Sequence, residues 1–252
     1  MNPEQIRIRQ KQLAGSWWRR RMLSVPGLIL SNTGGYNVAK EMLVQADWRV
    51  LEVGCAAGSR LLLFDQQVKF REHTSIGVEP VRALANRAGA VFHDAARPLT
   101  AIVADPGALP FRDEGFDVAF CDDLLRFLDV RGAQAALREI ARVLKPGAMC
   151  LVWDLAPPDG RFSWWQRFWL RAYRDGARIS SEKSLMALAE RSGFDVAEPA
   201  RLRPWLYPPI ARASVVAKKL PPGWRREGQN LVPDAVSSAS PAAVESPNEH
   251  RD

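Results

Sequence analysis

The chain has 252 residues, 47% hydrophobic and 25% charged, values ordinary for a globular protein with mass enough for one large domain and a real core. They exclude wholesale disorder and collagen-like composition. Met22 to Leu30, an uncharged stretch near the N-terminus broken by Pro26, falls far short of the roughly 20 apolar residues that span a bilayer. Arg19-Arg20-Arg21 before it imitate a secretion signal, but no clean small-residue cleavage site follows, so no signal peptide is expected. Cys55, Cys121 and Cys150 lack metal-type spacing, and three is an odd number for a disulfide framework. They read as reduced thiols of a cytoplasmic protein. With only His73, His93 and His250 besides, no metal site is expected.

Charge is unevenly spread. Residues 1–50 carry +5, 51–155 carry −2, 156–220 carry +6 and 221–252 carry −2, within a net +7. Both basic flanks are rich in tryptophan: Trp17, Trp18 and Trp48 in one, Trp164, Trp165, Trp169 and Trp205 in the other. Such a surface suits nucleic acid, anionic lipid or an acidic substrate.

In chain order, residues 1–48 read as a helical, basic and aromatic cap segment. Residues 49–220 alternate short apolar runs with amphipathic stretches, the pattern of an α/β fold on a mostly parallel sheet. Strands are predicted at Arg49–Gly54, Thr74–Glu79, Thr100–Asp105, Phe116–Cys121 and Ala148–Leu155, with two more in "FDVAEP" and "ASVVAKK". Helices are predicted at Ser59–Gln67, Pro80–Ala88, Gly132–Leu144 and Ser181–Ser192, the last closed by Gly193. An aromatic and arginine-bearing helix is predicted near 161–175. Residues 221–252, rich in Pro, Ser, Ala and Glu, read as a disordered tail.

The most informative segment is "VLEVGCAAGS". A buried strand ends at Gly54, small residues follow, and a helix starts after Gly58. Small side chains let a ligand approach the backbone, and the helix N-terminus supplies free N–H donors. The spacing G-x-x-x-G departs from the dinucleotide fingerprint G-x-G-x-x-G and better suits a ligand without phosphates. Glu79, closing the second strand, can accept from both hydroxyls of a ribose, the task such an acid performs in doubly wound nucleotide folds.

With "IGVEP", "ADPGALPFRDEGFDVAFCDDLLRFL", "EIARVLKPGAMCLVWD" and "SLMALAERSGFD" in fixed order, the chain resembles the class I S-adenosylmethionine-dependent methyltransferases over Val50 to Lys219. The resemblance implies a Rossmann-like, doubly wound sheet of seven strands, one antiparallel, in an α/β/α sandwich. It implies S-adenosyl-L-methionine as cofactor, with Gly54, Cys55, Ala56 and Gly58 along its methionine and ribose. Glu52 would lie near the methionine amino group, Glu79 on the ribose, Asp105 on the adenine amino group with Pro106 beside it, and Cys121 near the methionine moiety. Departures are Ala56, where relatives often have glycine, and Pro106, which removes an N–H donor. Phe127 stands where many relatives carry a histidine. The stretch between Glu79 and Asp105 reads as lengthened by "HDAARPLTAIV", which makes Asp94 a rival to Asp105.

A sulfonium methyl is already activated, so the protein's task is mainly in-line positioning, which can contribute roughly 7–11 kcal/mol. A general base is needed only for a poorly nucleophilic acceptor. Asp122 and Asp154, at strand ends, are the candidates for it. Asp123 reads as the N-cap of a helix beginning at Leu124, and Asp117 as a structural turn carboxylate. On "RFSWWQRFWLRAYRD", helical spacing collects Phe162, Trp164, Trp165, Phe168, Trp169, Ala172 and Tyr173 on one broad face and Arg167, Arg171 and Arg174 on a stripe. Such a helix can cap an apolar pocket, pack on the domain, or lie at a membrane surface. By analogy with the family, Trp17, Trp18 and Tyr36 would close the pocket.

The expectation is methyl transfer to a small, apolar or aromatic acceptor (quinone, phenol, polyketide or lipid) by a cytoplasmic protein, with peripheral contact at the inner face of the membrane. Alternatives are a nucleic-acid methyltransferase, disfavoured by "CDDL" where an "NPPY"-type motif would stand, and a catalytically silent cofactor-binding scaffold.

Overall fold

The structure is a computed structural model, described here for residues 1–14, 47–68, 75–158, 163–173, 178–200, 211–227 and 230–233. Helix α1 (Pro3–Ala14) precedes a core of β1 (Val50–Val53), α2 (Ser59–Val68), β2 (Ser75–Val78), α3 (Arg82–Asp94), β3 (Leu99–Ile102), β4 (Phe116–Asp122), a 3-10 turn (Leu125–Phe127), α4 (Val130–Val143) and β5 (Leu144–Leu155). Then come α5 (Ser163–Tyr173), α6 (Glu182–Glu190), β6 (Val196–Pro199) and β7 (Arg212–Lys218), with a ribbon of β8 (Trp224–Glu227) and β9 (Asn230–Pro233). The seven-stranded sheet has the order β3-β2-β1-β4-β5-β7-β6. Only β7 runs antiparallel, against both β5 and β6. The predicted fold class holds.

Local chemistry explains the elements. β1 is buried along its whole length, as a strand flanked by parallel neighbours and covered on both faces must be. α4 buries Ala133, Ala136, Leu137, Ile140, Ala141 and Val143 on one side, and Asp129 caps it by accepting from the Gly132 N–H at 2.7 Å. Ser181 does the same for α6. Gly193, at φ +97°, turns the chain out after α6.

The sheet separates two cores. Val50, Val118, Phe120, Leu151 and Trp153 face α2 and α3, meeting Leu61, Leu62, Phe64, Ala88 and Phe92. Leu51, Val53, Ala119, Cys121, Cys150 and Val152 face the other side with Ala136, Leu137 and Ile140 of α4 and Leu185 of α6. Strand alternation therefore decides which polar residue near a strand end meets which layer.

Some boundaries differ from expectation. α3 begins at Arg82, two residues past Pro80, and runs to Asp94; together with β3 it accounts for the segment read as an insertion. Because α3 returns from the C-terminal to the N-terminal edge of the sheet, the exposed Asp94 lies at the far end from the cofactor loop, beside His93. Asp123 caps no helix: it sits at φ +47°, and the turn after it has Leu124 at its N-cap, without a side-chain cap. Within the predicted tail, Trp224–Glu227 pairs with Asn230–Pro233, because two short strand-forming runs flank Gly228; residues 234–252 lie outside the described residues. So do Trp17, Trp18 and Tyr36.

Gly58, at φ +75°, holds α2 against α3: a Cβ there would lie 2.6 Å from the Phe92 ring. Gly58→Ala should therefore lower stability by about 2 kcal/mol or more. A shift in urea midpoint at unchanged slope measures it.

Candidate functional site

At the C-terminal edge of the sheet the chain leaves β1 through a bend in which Gly54, Ala56 and Gly58 all have positive φ (+89°, +49° and +75°). The Gly54 and Cys55 N–H groups donate to the Val78 carbonyl at 2.8 and 3.1 Å, fastening the bend to β2. A side chain at Gly54 would place its Cβ 2.8 Å from that of Leu124, so only glycine fits. Ala56 holds a left-handed conformation at a cost of roughly 1–2 kcal/mol. Its N–H donates to Glu79 Oε2 at 2.9 Å.

Glu79 is fully buried. Its Oε1 accepts from the Val81 N–H at 3.1 Å. The Arg9 guanidinium of α1 completes its surroundings, Nε donating to Oε1 at 2.9 Å and Nη2 to Oε2 at 2.7 Å. Arg9 also donates to the Gly54 carbonyl at 3.0 Å and the Asp123 carbonyl at 2.7 Å. Its guanidinium carbon lies 5.1 Å from the Phe127 ring centre. No sequence signal marked Arg9, because nothing local ties residue 9 to residue 79.

On the α2 face, Glu52 and Asp122 share one cation, Arg60, which donates to Glu52 Oε1 at 3.3 Å and pairs with Asp122. The Arg60 guanidinium lies over the Trp153 ring at 4.7 Å. Glu52 Oε2 and Asp122 Oδ1 are buried without a hydrogen-bond partner. Burial raises both carboxyls above their ordinary values, against the pull of Arg60. Asp123 is burdened by burial too, but Arg212, Arg126, Arg60 and Arg9 together hold its carboxyl low. The crevice is lined by Gly54, Cys55, Ala56, Arg60 and Asp122, with Arg9 and Leu13 of α1 forming part of its wall.

The expected site residues thus separate. Gly54, Cys55, Ala56 and Asp122 line the crevice, and Glu79 and Glu52 stand buried behind it, tied to its wall through the Ala56 N–H and Arg60. Gly58 faces Phe92 instead of the crevice. Cys121 points into the opposite core, its thiol pushed up by burial. Asp154 is also buried away from the crevice, accepting from the Arg126 and Leu155 N–H groups at 2.7 Å each. It holds the 3-10 turn on β5, because one step along a strand reverses the face from that of Trp153. Asp105 lies on the loop after β3; its Oδ1 accepts from the Gly107 N–H at 2.9 Å, and the Met1 amino group lies 2.5 Å from Oδ2. Pro106 beside it is buried. Arg60 was legible only as a charge in the first turn after the bend.

On α5, Leu170 is buried against Leu155 and Ile179. Trp164 and Phe168 are 66% and 61% exposed, and Trp165, at 38%, stacks on Phe168. Trp164, Trp165 and Phe168 therefore look outward, because Leu170 lies on another side of the helix; Phe162 and the side chains of Trp169, Ala172 and Tyr173 lie outside the described residues.

The raised carboxyl of Asp122 has a consequence for stability. The folded chain keeps this proton longer than the unfolded chain, so stability falls as pH rises from the ordinary carboxylate value of 3.8 toward neutrality. Asp122→Asn removes this titration. Its denaturant midpoint should fall less with pH over that range than that of the wild type.

Residues 50–147 match the family described as "Methyltransferase domain". The demethylmenaquinone methyltransferase of Mycobacterium tuberculosis (strain ATCC 25618 / H37Rv) is 40% identical over 70 residues, 28% of this chain and 29% of the relative. The uncharacterized methyltransferase YcgJ of Bacillus subtilis (strain 168) is 33% identical over 120 residues, 46% of this chain and 44% of the relative. The chain thus spans less than half the length of these curated relatives. The crystal structure of a SAM-dependent methyltransferase from Aquifex aeolicus superposes with TM-score 0.61 at 17% identity, covering 87% of this chain and all of the other. Over residues 50–147 the chain is similar to the methyltransferase-domain family, and it shares its fold with the SAM-dependent methyltransferase of Aquifex aeolicus.

Proposed function

We propose that the protein transfers the methyl group of S-adenosylmethionine to a small, apolar or aromatic acceptor of quinone, phenol, polyketide or lipid type. The observation that carries this reading is the cradle at Gly54–Ala56, which has no room for a Cβ at Gly54 and delivers the Ala56 N–H to the buried carboxylate of Glu79. The oxygens of Glu52 and Asp122 beside it that lack a hydrogen bond fit a ligand bearing an ammonium and a sulfonium. When bound, the cofactor supplies a methyl carbon activated by its positive sulfur.

The chain's own groups do the rest. Glu79 holds the ribose hydroxyls, Glu52 Oε2 accepts from the methionine ammonium, and Asp105 accepts from the adenine amino group. Asp122 is the group we assign to proton acceptance from a hydroxyl acceptor, since burial makes its carboxylate more basic than usual. The quinone-type acceptor draws support from the demethylmenaquinone methyltransferase likeness. The exposed Trp164 and Phe168 beside Arg167 and Arg171, on a helix without an acidic residue, suit peripheral contact with an anionic membrane surface. Among the described residues no helix is long and apolar enough to cross a membrane. Three buried free thiols accord with the cytoplasm.

The reading of a silent scaffold rests on a different observation, the walling of the crevice by Arg9 and Leu13 of α1. Incubation with methyl-labelled cofactor and a fractionated cell extract separates the readings. Label in the lipid-soluble fraction is expected; label in RNA would favour a nucleic-acid enzyme, and none in any fraction the scaffold. Glu79→Ala should weaken S-adenosylhomocysteine binding by about tenfold or more, since two hydroxyls lose a charged acceptor; unchanged affinity in a titration would refute the ribose assignment. Trp164→Ala with Phe168→Ala should reduce retention on anionic vesicles severalfold in a sedimentation assay.

A further inference from the structure

Glu79 has a countable capacity. Two carboxylate oxygens offer about four acceptor sites. Two are filled from the backbone, by the Val81 N–H on Oε1 and the Ala56 N–H on Oε2. These come with the fold of the cradle itself. The other two are filled by Arg9, through Nε on Oε1 and Nη2 on Oε2. No acceptor site remains for a pair of ribose hydroxyls.

We propose that α1 is an intramolecular competitor of the cofactor: Arg9 occupies on Glu79 the two acceptor sites that the ribose hydroxyls need, so loading requires α1 to withdraw Arg9. The inference rests on the methyl-donor reading given above. The fork of a guanidinium and a pair of neighbouring hydroxyls both present two donors on one side, so one can replace the other on the same carboxylate.

The remaining contacts of α1 agree with a removable plug. Its buried side chains among the described residues are Arg9 and Leu13 alone. Leu13 and Ile6 join a small cluster with Val81, Leu84 and Ala56, separate from the two cores of the sheet. Withdrawal of α1 opens neither core, and only Met1 before it, among the described residues of the segment, packs at the margin of the core on the α4 side. The second arm of the plug is the hold of Arg9 on the loop ends, at the Gly54 and Asp123 carbonyls. Met1, at the other end of the same segment, stands on Asp105, the expected adenine acceptor. One segment thus covers both polar positions assigned to the nucleoside. The exchange keeps Glu79 hydrogen-bonded: two ribose hydroxyls enter as the two N–H donors of the guanidinium leave.

A competitor within the chain lowers apparent affinity by the fraction of molecules in which the crevice is open. Arg9→Gln removes the charge and the fork while keeping a polar side chain. The full-length variant should bind S-adenosylhomocysteine about tenfold more tightly than the wild type by calorimetric titration, and should unfold at lower temperature without ligand. A second measurement uses no variant: hydrogen exchange at residues 3–14 of the wild type should speed up when S-adenosylhomocysteine is added. Equal or weaker binding by Arg9→Gln, or unchanged or increased protection of residues 3–14 in the liganded wild type, overturns the proposal and leaves the cofactor reading intact. Failure of both proteins to bind S-adenosylhomocysteine overturns the cofactor reading and this inference together.

Discussion

A carboxylate taken wholly out of water must be met by donors, and Glu79 is such a group. Its position at the end of β2 follows from the parallel sheet, whose C-terminal edge opens next to the strand-order reversal at β1. The bend at Gly54–Ala56 brings one backbone N–H to it, and the turn into α3 brings another. The fold thus half-satisfies Glu79 and leaves a demand for two more donors. Arg9 meets that demand in this structure. The site is best understood as an unfinished hydrogen-bond shell whose remaining places can be contested.

The loop between β3 and β4 shows why separate motifs travel together. Arg142 of α4 donates to the Leu109 and Phe111 carbonyls at 3.0 and 2.8 Å, and Glu139 accepts from the Leu109 N–H at 2.8 Å. Arg142 and Glu139 also pair with each other, which holds the Glu139 carboxyl below its ordinary value. So "ALPF" and "EIAR" are two halves of one clamp. That clamp supports the loop on which Asp105 sits.

Charge at the sheet edge is sorted by strand alternation. Asp122 shares the face of Phe120 and meets Arg60 and Glu52, while Cys121 before it enters the opposite core. Trp153 lies under Arg60, and Asp154 after it turns to Arg126. A one-residue step thus separates a carboxylate of the crevice from one that secures a turn. Four arginines (Arg9, Arg60, Arg126 and Arg212) accompany the acids at this edge. They offset part of the cost of burying these carboxylates, enough to hold Asp123 low while Asp122 stays raised.

The alternation of apolar runs with amphipathic stretches was enough to predict an α/β fold on a mostly parallel sheet, the family resemblance implied its seven-stranded, doubly wound form, and the small residues after β1 were enough to locate the bend, because these patterns are local. Glu52, Glu79 and Asp122 were legible because each stands at or near a strand end, where open sheets bind ligands. The roles of Gly58, Cys121 and Asp154 were not. They depend on which face a side chain takes and what helix lies over it. The outward turn of Trp164 and Phe168 on α5 was equally hidden, since periodicity defines a face without saying which one docks. The sequence by itself determined the layers and the acidic lip of the crevice, through short-range spacing of apolar and small residues. Only the tertiary structure decided that Arg9 closes on Glu79 across 70 positions of chain, because that contact follows from where α1 packs and leaves no trace in local pattern.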